Sequence, residues 1–385
     1  MSLSCILTLY LIIFLAFLTH LGFAGSRLAV PLLAVDQGAT PFVVGTVMSL
    51  YAALPAVLAL PAGRLLDRLG FQLPLVFGSV GLVTALLLPF LWPSVTTLYF
   101  ASTLLGLCFM IFQLATQTLT GAIAAPAERA RNFAHLSLGY AVANFSGPLI
   151  AGVLIDHAGH AWTFFALAMP LVPVVVVTAM GSRWIPDVHA KSESARGGFL
   201  DLLRIRELRQ TLIASGIVSS AWDVYQFVMP IYGRSLGLTA TAIGAVMSAF
   251  AVSIILVRLV LPLAVRRTGE AQMLTYAMYV ACAAFLLFPL FHSPWLLAAV
   301  SFLLGAGCGV GQPLSLTMVY NASPRGRAGE AAGMRVTVNQ VTHFMIPLLF
   351  GAMGSAAGYA AVFVVNAGCL AVGGWVSRRY HAAKE

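Results

Sequence analysis

Twelve long apolar stretches, separated by short charged or glycine- and proline-rich breaks, make up most of the sequence. A helix needs about 20 mostly apolar residues to cross a bilayer. Backbone groups inside a bilayer find no water, so spanning segments must be helices or a closed barrel. Because the stretches lack the alternating polarity of barrel strands, the sequence predicts an all-α membrane protein with twelve transmembrane helices. Their approximate predicted ends are 5–34, 42–63, 73–92, 95–122, 133–155, 161–181, 209–232, 240–263, 272–291, 295–320, 331–354 and 358–377.

Composition and charge exclude a water-soluble protein and argue against a nucleic-acid partner. The chain is 60% hydrophobic and 9% charged, whereas soluble domains average about 45–50% apolar and about 25% charged residues. The net charge of +9 follows the topology. With both termini inside, all lysines and arginines except Arg27, Arg234 and Arg258 fall in cytoplasmic segments, as the positive-inside rule requires. We therefore predict an integral membrane protein with both termini in the cytoplasm.

An internal repeat with a constant offset of 199 residues runs through almost the whole chain. Each half contains six helices, so both halves keep the same orientation. Parallel repeats of this kind pack around an axis along the membrane normal, with a shared site near the midplane. We predict an N-terminal half (1–181), a cytoplasmic linker (182–208) and a C-terminal half (209–385). Because one chain contains both halves, we expect the protein to function as a monomer. Matching pairs include Pro31 and Pro230, Gly45 and Gly244, Arg68 and Arg267, Gln113 and Gln312, and Pro148 and Pro347.

Two symmetry-related helices carry charged side chains inside apolar stretches. His20 and Arg27 lie on one face of helix 1, and the offset of 199 maps this face onto Asp223 and Gln226 of helix 7. Ionisable residues within spans are costly and usually face a cavity. One hypothesis is that Arg27 and Asp223 face each other across a central cavity, where they bind substrate or exchange a proton. The alternatives are a structural ion pair, or an Arg27 side chain that extends to the outer surface.

Further polar residues lie in the helices on either side of this predicted cavity. Amide and imidazole groups at these positions suit a polar small molecule, although hydrogen bonds between helices would explain them equally well. The histidines have no metal-ligand spacing with another ligand, so we predict neither a metal nor another cofactor. The additional substrate candidates are Gln113, Gln312, Asn144, Asn339 and His343.

The segment GRLLDRLG, residues 63–70, concentrates charge between two apolar stretches. It runs from Gly63 through three positions to aspartate and arginine, and after one more position it reaches Gly70. In this setting the chain resembles the major facilitator superfamily of secondary transporters, especially its bacterial proton-coupled efflux members. The resemblance covers nearly the whole chain and implies the fold of that family, with its location in the inner membrane.

The resemblance also implies a cytoplasmic gate. In the family, the aspartate of this signature helps to latch the two halves, which assigns the latch to Asp67, with Arg64 and Arg68 as local partners. A carboxylate near the start of an opposing helix would be stabilised by the positive end of that helix. The segment VRRTG, with Arg266 and Arg267, is the weaker second-half copy. Both segments are expected in inside loops.

Helix 5 carries a second signature, GYAVANFSGPLIAG, residues 139–152. Gly139, Gly147, Pro148 and Gly152 match a pattern that the family uses mainly in proton-coupled exporters, and helix packing is the other explanation. Helix 4 departs from the family, because Ser102 stands where exporters have an arginine tied to proton handling.

These observations favour a secondary active transporter that works by alternating access, without enzymatic activity. Proton-coupled export of a metabolite or drug is the first hypothesis, and uptake of an organic anion or zwitterion by proton symport is the second. A non-transporting membrane receptor is a remote alternative. The sequence contains neither a nucleophile–base set within a span nor a phosphate-binding glycine loop followed by lysine.

Overall fold

The computed structural model describes residues 3–123, 128–181, 204–323 and 327–382, and these fold almost entirely as α-helices. The described part contains no strand, and the all-α prediction is confirmed. Short 3-10 turns, Met169–Leu171 and Phe288–Leu290, extend two of the helices. The helices are α1 Leu3–Asp36, α2 Pro41–Leu69, α3 Gln72–Leu91, α4 Val95–Ala122, α5 Arg129–Ala168, α6 Val172–Ala179, α7 Arg206–Ser235, α8 Ala240–Thr268, α9 Glu270–Leu287, α10 Pro294–Ala322 and α11 Ala328–Ala382.

Ten helical segments of the described chain are long and apolar enough to cross a membrane. Two of them, Arg131–Ala179 and Gly333–Arg379, contain 49 and 47 residues, which is enough for two crossings at about 20 residues each. Each bends at a glycine with positive φ, Gly159 at 82° and Gly358 at 77°, a conformation that glycine adopts without steric cost. The ten segments are thus compatible with the predicted twelve crossings.

Turn positions repeat with the offset found in the sequence. Six of the seven positive-φ glycines of the described chain form three pairs separated by 199 residues. A backbone conformation that only glycine adopts readily is a stronger marker of repetition than an apolar match. The pairs are Gly38 and Gly237, Gly70 and Gly269, and Gly159 and Gly358.

The chain divides into two compact units. Unit 1 comprises Met1–Ala39, Leu50–Glu193 and Thr239–Gly244, and unit 2 comprises Thr40–Ser49, Ser194–Leu238 and Ala245–Glu385. In unit 1, α1 and α3 both pack against α4 and α5, and in unit 2, α7 and α9 both pack against α10 and α11 in the same way. Residues 182–203 of the predicted linker lie outside the described residues. Its last residues are helical, because α7 begins at Arg206 instead of 209.

The two signature segments predicted as loops are mostly helical. Helix α2 continues to Leu69, and only Gly70, with φ of 73°, turns the chain. Likewise α8 continues to Thr268, which puts exposed Arg266 and Arg267 in its last turn. Positive charges there stabilise the helix, because its C-terminal end carries partial negative charge. Their charge had suggested a loop, but charged residues form helices readily once the chain leaves the apolar core. The side chains of Arg64, Asp67 and Arg68 lie outside the described residues, as do all but that of Ala331 in the expected opposing helix start around 329–332.

A side chain from another helix caps the start of α8 in unit 1. The Asp156 carboxylate of α5 accepts hydrogen bonds from the backbone N–H groups of Ala240, at 3.0 Å, and Thr241, at 2.7 Å. The first N–H groups of a helix have no acceptor within the helix, and a carboxylate there also favours the helix dipole. In unit 2, Ser355 repeats the arrangement one offset of 199 later, because its hydroxyl accepts from the N–H of Phe42 at 2.9 Å.

Glycines bring the same helix starts close to their partners. A Cβ atom on Gly152 would collide with the Ala240 carbonyl oxygen in unit 1. In unit 2, a Cβ atom on Gly351 would lie 2.8 Å from the Pro41 carbonyl oxygen. Because a helical neighbour can approach this closely only where a side chain is missing, the glycines set the distance at which the caps can form.

We expect replacement of Asp156 by alanine to destabilise the protein by about 1 kcal/mol, the usual loss for a helix cap. Asp156→Asn should recover part of this loss, since asparagine is also a good cap but carries no charge for the helix dipole. Ser355→Ala should cost less, because it removes an acceptor from one N–H group only. Denaturant titration in detergent micelles measures the three differences, and equal stability of Asp156→Ala and the wild type would contradict the assignment.

Candidate functional site

A buried carboxylate in the middle of α7 binds a histidine of α11. Nδ1 of His343 donates to the Asp223 carboxylate, with both oxygens at 2.6 Å. The Asp223 side chain is 3% exposed and that of His343 is 24% exposed. Proximity of an imidazole compensates for the high cost of a carboxylate at this depth in an apolar span. Unit 2 therefore holds a titratable pair near the middle of its helices.

Unit 1 has a neutral counterpart of this pair between α1 and α5. The Asn144 amide nitrogen donates to Nε2 of His20 at 2.9 Å and to the Tyr140 carbonyl oxygen at 2.9 Å. Since Nε2 accepts this hydrogen bond, the ring proton of neutral His20 lies on Nδ1. Nδ1 is buried, and no hydrogen-bond partner for it occurs in the described chain. His20 thus retains an unused donor.

Aromatic rings surround His20 and Arg27 in unit 1. Tyr140 stacks on the His20 ring at a centroid distance of 4.8 Å, and Phe109 stacks on Phe23 at 3.7 Å. The Arg27 guanidinium lies 5.6 Å from the Phe23 ring centroid and 5.4 Å from that of Tyr51, within the range of cation–π attraction. Its Nε is buried without a hydrogen-bond partner among the described residues. This cluster presents a cation, an imidazole N–H group and aromatic faces together.

The two polar pairs share one position of the repeat and lie on equivalent helix faces, although His20 itself corresponds to Ser219. Adding 199 to Asn144 gives His343, and adding 199 to Ala24 gives Asp223. In unit 1, α1 and α5 approach closely here, because a Cβ atom on Gly147 would lie 2.9 Å from the Cβ of Ala24. The repeat therefore brings the same two helix faces together in each unit. It supplies histidine and asparagine in one unit and aspartate and histidine in the other.

The remaining substrate candidates make contacts within their own units. Gln312 Oε1 accepts from Nη2 of Arg258 at 3.5 Å, and Asn339 Oδ1 accepts from the Ser215 hydroxyl at 3.2 Å. Gln226 is buried on α7, and Gln113 is half-buried on α4. The pairing of Arg27 with Asp223 remains a prediction, because they belong to different units.

The helix 5 signature packs closely on two neighbouring helices. Gly147 faces α1, and Gly139 lies beside Ile13 of α1 at an ordinary contact distance. The Pro148 carbonyl oxygen would lie 2.5 Å from a Cβ atom on Gly244, so this turn of α5 faces the start of α8 together with Gly152. Small residues thus allow α5 to approach α1 on one face and α8 on another.

Several residues of these clusters were not predicted from the sequence. Tyr140, Phe109 and Tyr51 had no signal of their own, because aromatic residues are frequent throughout the apolar stretches. The partner of Asp223 had a signal, since the offset of 199 relates the α1–α5 contact to the α7–α11 contact. Arg258 was predicted to lie outside the cytoplasmic segments, and the structure shows that it reaches Gln312 and the Gly309 carbonyl oxygen. Hydropathy alone does not predict the partner of such a half-buried arginine, because its long side chain reaches several residues along the helix.

Comparison with known proteins identifies relatives along the whole chain. A family model described as the Major Facilitator Superfamily matches residues 12–283 and 211–385. The protein is 25% identical to Multidrug resistance protein MdtG of Salmonella paratyphi A over 347 residues, 87% of this chain and 85% of the relative, and is similarly close to the Salmonella typhi protein of that name. Two solved structures share the fold. The structure of nucleoside transporter NupG has a TM-score of 0.82 and 13% identity, and the match covers 96% of this chain and 99% of that one. The structure of peptide transporter POT in complex with sulfate has a TM-score of 0.82 and 14% identity, and the match covers 98% of this chain and 94% of that one.

We expect loss of one partner of the Asp223–His343 pair to be more harmful than loss of both. His343→Ala leaves a buried carboxylate without its partner and should cost about 3–5 kcal/mol, whereas replacing both residues by leucine should recover much of this. Asp36 and His160 provide a matched control, because they form a pair at 2.8 Å in which the aspartate is 25% exposed, and Asp36→Asn should cost about 1 kcal/mol or less. Denaturant titration of all variants measures the coupling, and additive losses at Asp223 and His343 would contradict it.

Proposed function

The chain belongs to the major facilitator superfamily, and on that premise we propose that it is a proton-coupled exporter of small organic solutes. It is an integral membrane protein and a secondary transporter of small molecules. The proposal adds export direction, coupling to protons and the roles of individual residues. It also assigns the inner membrane of a bacterium as location, cytoplasmic termini, a monomeric state and no enzymatic activity.

The buried Asp223–His343 pair is the observation that carries the proposal of proton coupling. When the imidazole is protonated, its charge balances that of the carboxylate; when the proton leaves, a negative charge remains in an apolar span. The free energy of that charge depends strongly on access to water. A conformational change that alters water access at the pair therefore favours proton uptake in one state and release in the other. Alternating access supplies such a change.

The chemistry of the unit 1 cluster supports a solute that combines an apolar or aromatic body with hydrogen-bond acceptors. Nδ1 of His20 and Nε of Arg27 are buried donors that lack partners in the described chain. A solute acceptor would satisfy them, whereas leaving them unpaired costs about 1–3 kcal/mol each. The rings of Phe23, Tyr51 and Tyr140 offer apolar faces beside these donors. We propose that this cluster binds the solute.

The direction of transport rests on similarity. Relatives named multidrug resistance protein, at 25% identity over most of the chain, support export of drugs or metabolites. The helix 5 signature, whose glycines form close helix contacts here, resembles that of proton-coupled exporters. Uptake of an organic anion or zwitterion by proton symport is the second candidate, and the half-buried cation Arg27 in an aromatic cluster is the observation that favours it. Flux measured in vesicles of defined orientation distinguishes the two directions.

We expect Asp223→Asn to abolish transport driven by a proton gradient while leaving gradient-free exchange of solute intact. Without the carboxylate charge, nothing favours a proton on His343 in one conformation over the other, so the solute would still bind but would no longer be coupled. Proteoliposomes loaded with the solute that most stabilises the purified protein in a thermal-shift screen of metabolites and drugs give both rates. Asp36→Asn, the same change in another histidine-paired aspartate, is the control. Gradient-driven accumulation at the wild-type level in Asp223→Asn would refute the role of the pair.

We further expect Asp67→Ala to slow turnover without changing the solute affinity. A gate residue affects the rate at which the transporter changes conformation, whereas it makes no contact with the solute. Turnover in proteoliposomes and solute-induced thermal stabilisation measure the two effects separately. Glu128→Gln, which removes a charge at another predicted cytoplasmic position, should leave turnover unchanged. Wild-type turnover of Asp67→Ala would remove the latch assignment.

A further inference from the structure

A cavity of about 560 Å³ opens at one end of unit 2. It lies where α7 and α9 begin and where α10 and α11 end, so it is bounded by four helix termini at the predicted cytoplasmic surface. The residues of the polar pair Asp223–His343 are not among its lining residues. The cavity is therefore a separate feature that the proposed transport mechanism does not use.

The lining of this cavity is polar at one end and apolar at the other. Glu207 and Glu270 lie in the first turns of α7 and α9, and Asn321 lies in the last turn of α10. Further along the helices the wall consists of apolar side chains, of which Ile213 is 56% and Val372 is 61% exposed. Exposed aliphatic side chains on a membrane helix face lipid, so the cavity is open toward the acyl chains. This order of polar and apolar groups matches that of one bilayer leaflet.

The internal repeat provides a direct comparison, because unit 1 fills the equivalent place with side chains. A buried apolar cluster of unit 1 contains large residues at positions where unit 2 has smaller or polar ones. Since both units share the same helix arrangement, the cavity is not a consequence of the fold. It results from particular substitutions. The equivalent residues, separated by 199, are Phe71 and Glu270, Leu15 and Ala214, and Val174 and Gly373.

The polar end of the cavity requires a ligand that donates hydrogen bonds. Gln210 also lines it, and its buried Oε1 has no hydrogen-bond partner in the described chain. Glu270 Oε2 accepts from the Asn321 amide at 3.3 Å, but two carboxylate oxygens can accept about four hydrogen bonds. An ammonium group offers three donors and a positive charge. A quaternary ammonium offers the charge but no N–H donor.

The open apolar wall favours a lipid over a soluble ligand. Exposed Ile213 and Val372 border the acyl chains of the bilayer, so the apolar part of a ligand can enter from the lipid side. A phospholipid with an ammonium headgroup supplies both a donor for the acceptors inside the cavity and an acyl chain for this wall.

We propose that this cavity binds a phospholipid with a primary-ammonium headgroup, of the ethanolamine class, from the surrounding bilayer. The ammonium group donates to Glu270 and to Oε1 of Gln210. The acyl chain lies along the apolar wall that Ile213 and Val372 form. The site belongs to unit 2 alone, because Phe71 and Leu15 fill the corresponding place in unit 1.

Native mass spectrometry of the purified full-length protein in detergent micelles tests this site. The protein is titrated with dioleoyl phosphatidylethanolamine, and separately with the phosphatidylcholine and phosphatidylglycerol of the same acyl chains. We expect one ethanolamine lipid to be retained at several-fold lower concentration than either of the others. Glu270→Gln should abolish this preference by removing the charge at nearly constant size. Ala214→Leu, which copies Leu15 of unit 1, should reduce retention of the lipid itself by filling the apolar part.

Controls separate the site from general lipid binding and from misfolding. Glu128→Gln, which removes an acid of unit 1, should bind all three lipids as the wild type does. Only variants that elute as the wild type does and unfold at a similar temperature without added lipid are compared. Equal retention of ethanolamine and choline lipids by the wild type would overturn the proposal, and so would wild-type preference in both Glu270→Gln and Ala214→Leu. Retention of dodecylammonium in place of the phospholipid would overturn it as well, in favour of a site for soluble cationic amphiphiles.

Discussion

The bilayer interior offers polar groups no water, and this single constraint organises the protein. Each hydroxyl, amide or ionisable group within a span must find its partner inside the protein. Most hydroxyls do so locally: Thr19 donates to the carbonyl oxygens of Leu15 and Ala16, and Thr120 donates to that of Thr116. Side chains that cannot reach their own backbone pair across helices, as His343 does with Asp223. Some buried groups do neither within the described chain, and for one of them, Nδ1 of His20, an acceptor on a ligand would lower the free energy.

Duplication explains which features the two halves share and which features distinguish them. Both halves keep the glycine turns, the close helix contacts and the cap at a helix start, because each is a requirement of the fold. They differ at positions that the fold leaves open. Ala24 corresponds to Asp223, Asn144 to His343 and Phe71 to Glu270, and each change introduces a titratable group into unit 2. Polar divergence at structurally equivalent positions is thus a guide to function that neither half provides alone.

The family, the helical fold and most helix ends could be predicted from the sequence, because hydropathy and glycine determine them locally. The α4 prediction matches the structure at both ends, 95–122. Prediction was less accurate where charge and helix propensity compete, and residues 63–69 extend α2 where a loop was expected. The sequence ranked Asp223 as a candidate but did not pair it with His343, since the choice of partner depends on the rotation of α11 against α7. The cavity at Glu270 was not predicted, because space that side chains leave unfilled becomes apparent only when four helix ends are brought together.

The distribution of charge between the units bears on how a proton could be coupled to a solute. The buried Asp223–His343 pair lies in unit 2, whereas His20, Arg27 and the aromatic rings around them lie in unit 1. If the proton binds at His343 and the solute at the unit 1 cluster, as we propose, the proton changes the net charge of one unit and the solute satisfies donors of the other. Coupling between them requires no direct contact of proton and solute. It requires only that both affect the same conformational equilibrium, since each ligand shifts that equilibrium by its difference in affinity for the two states. In such a mechanism the exporter-type arginine of helix 4 is dispensable, and a buried Ser102 stands at its position.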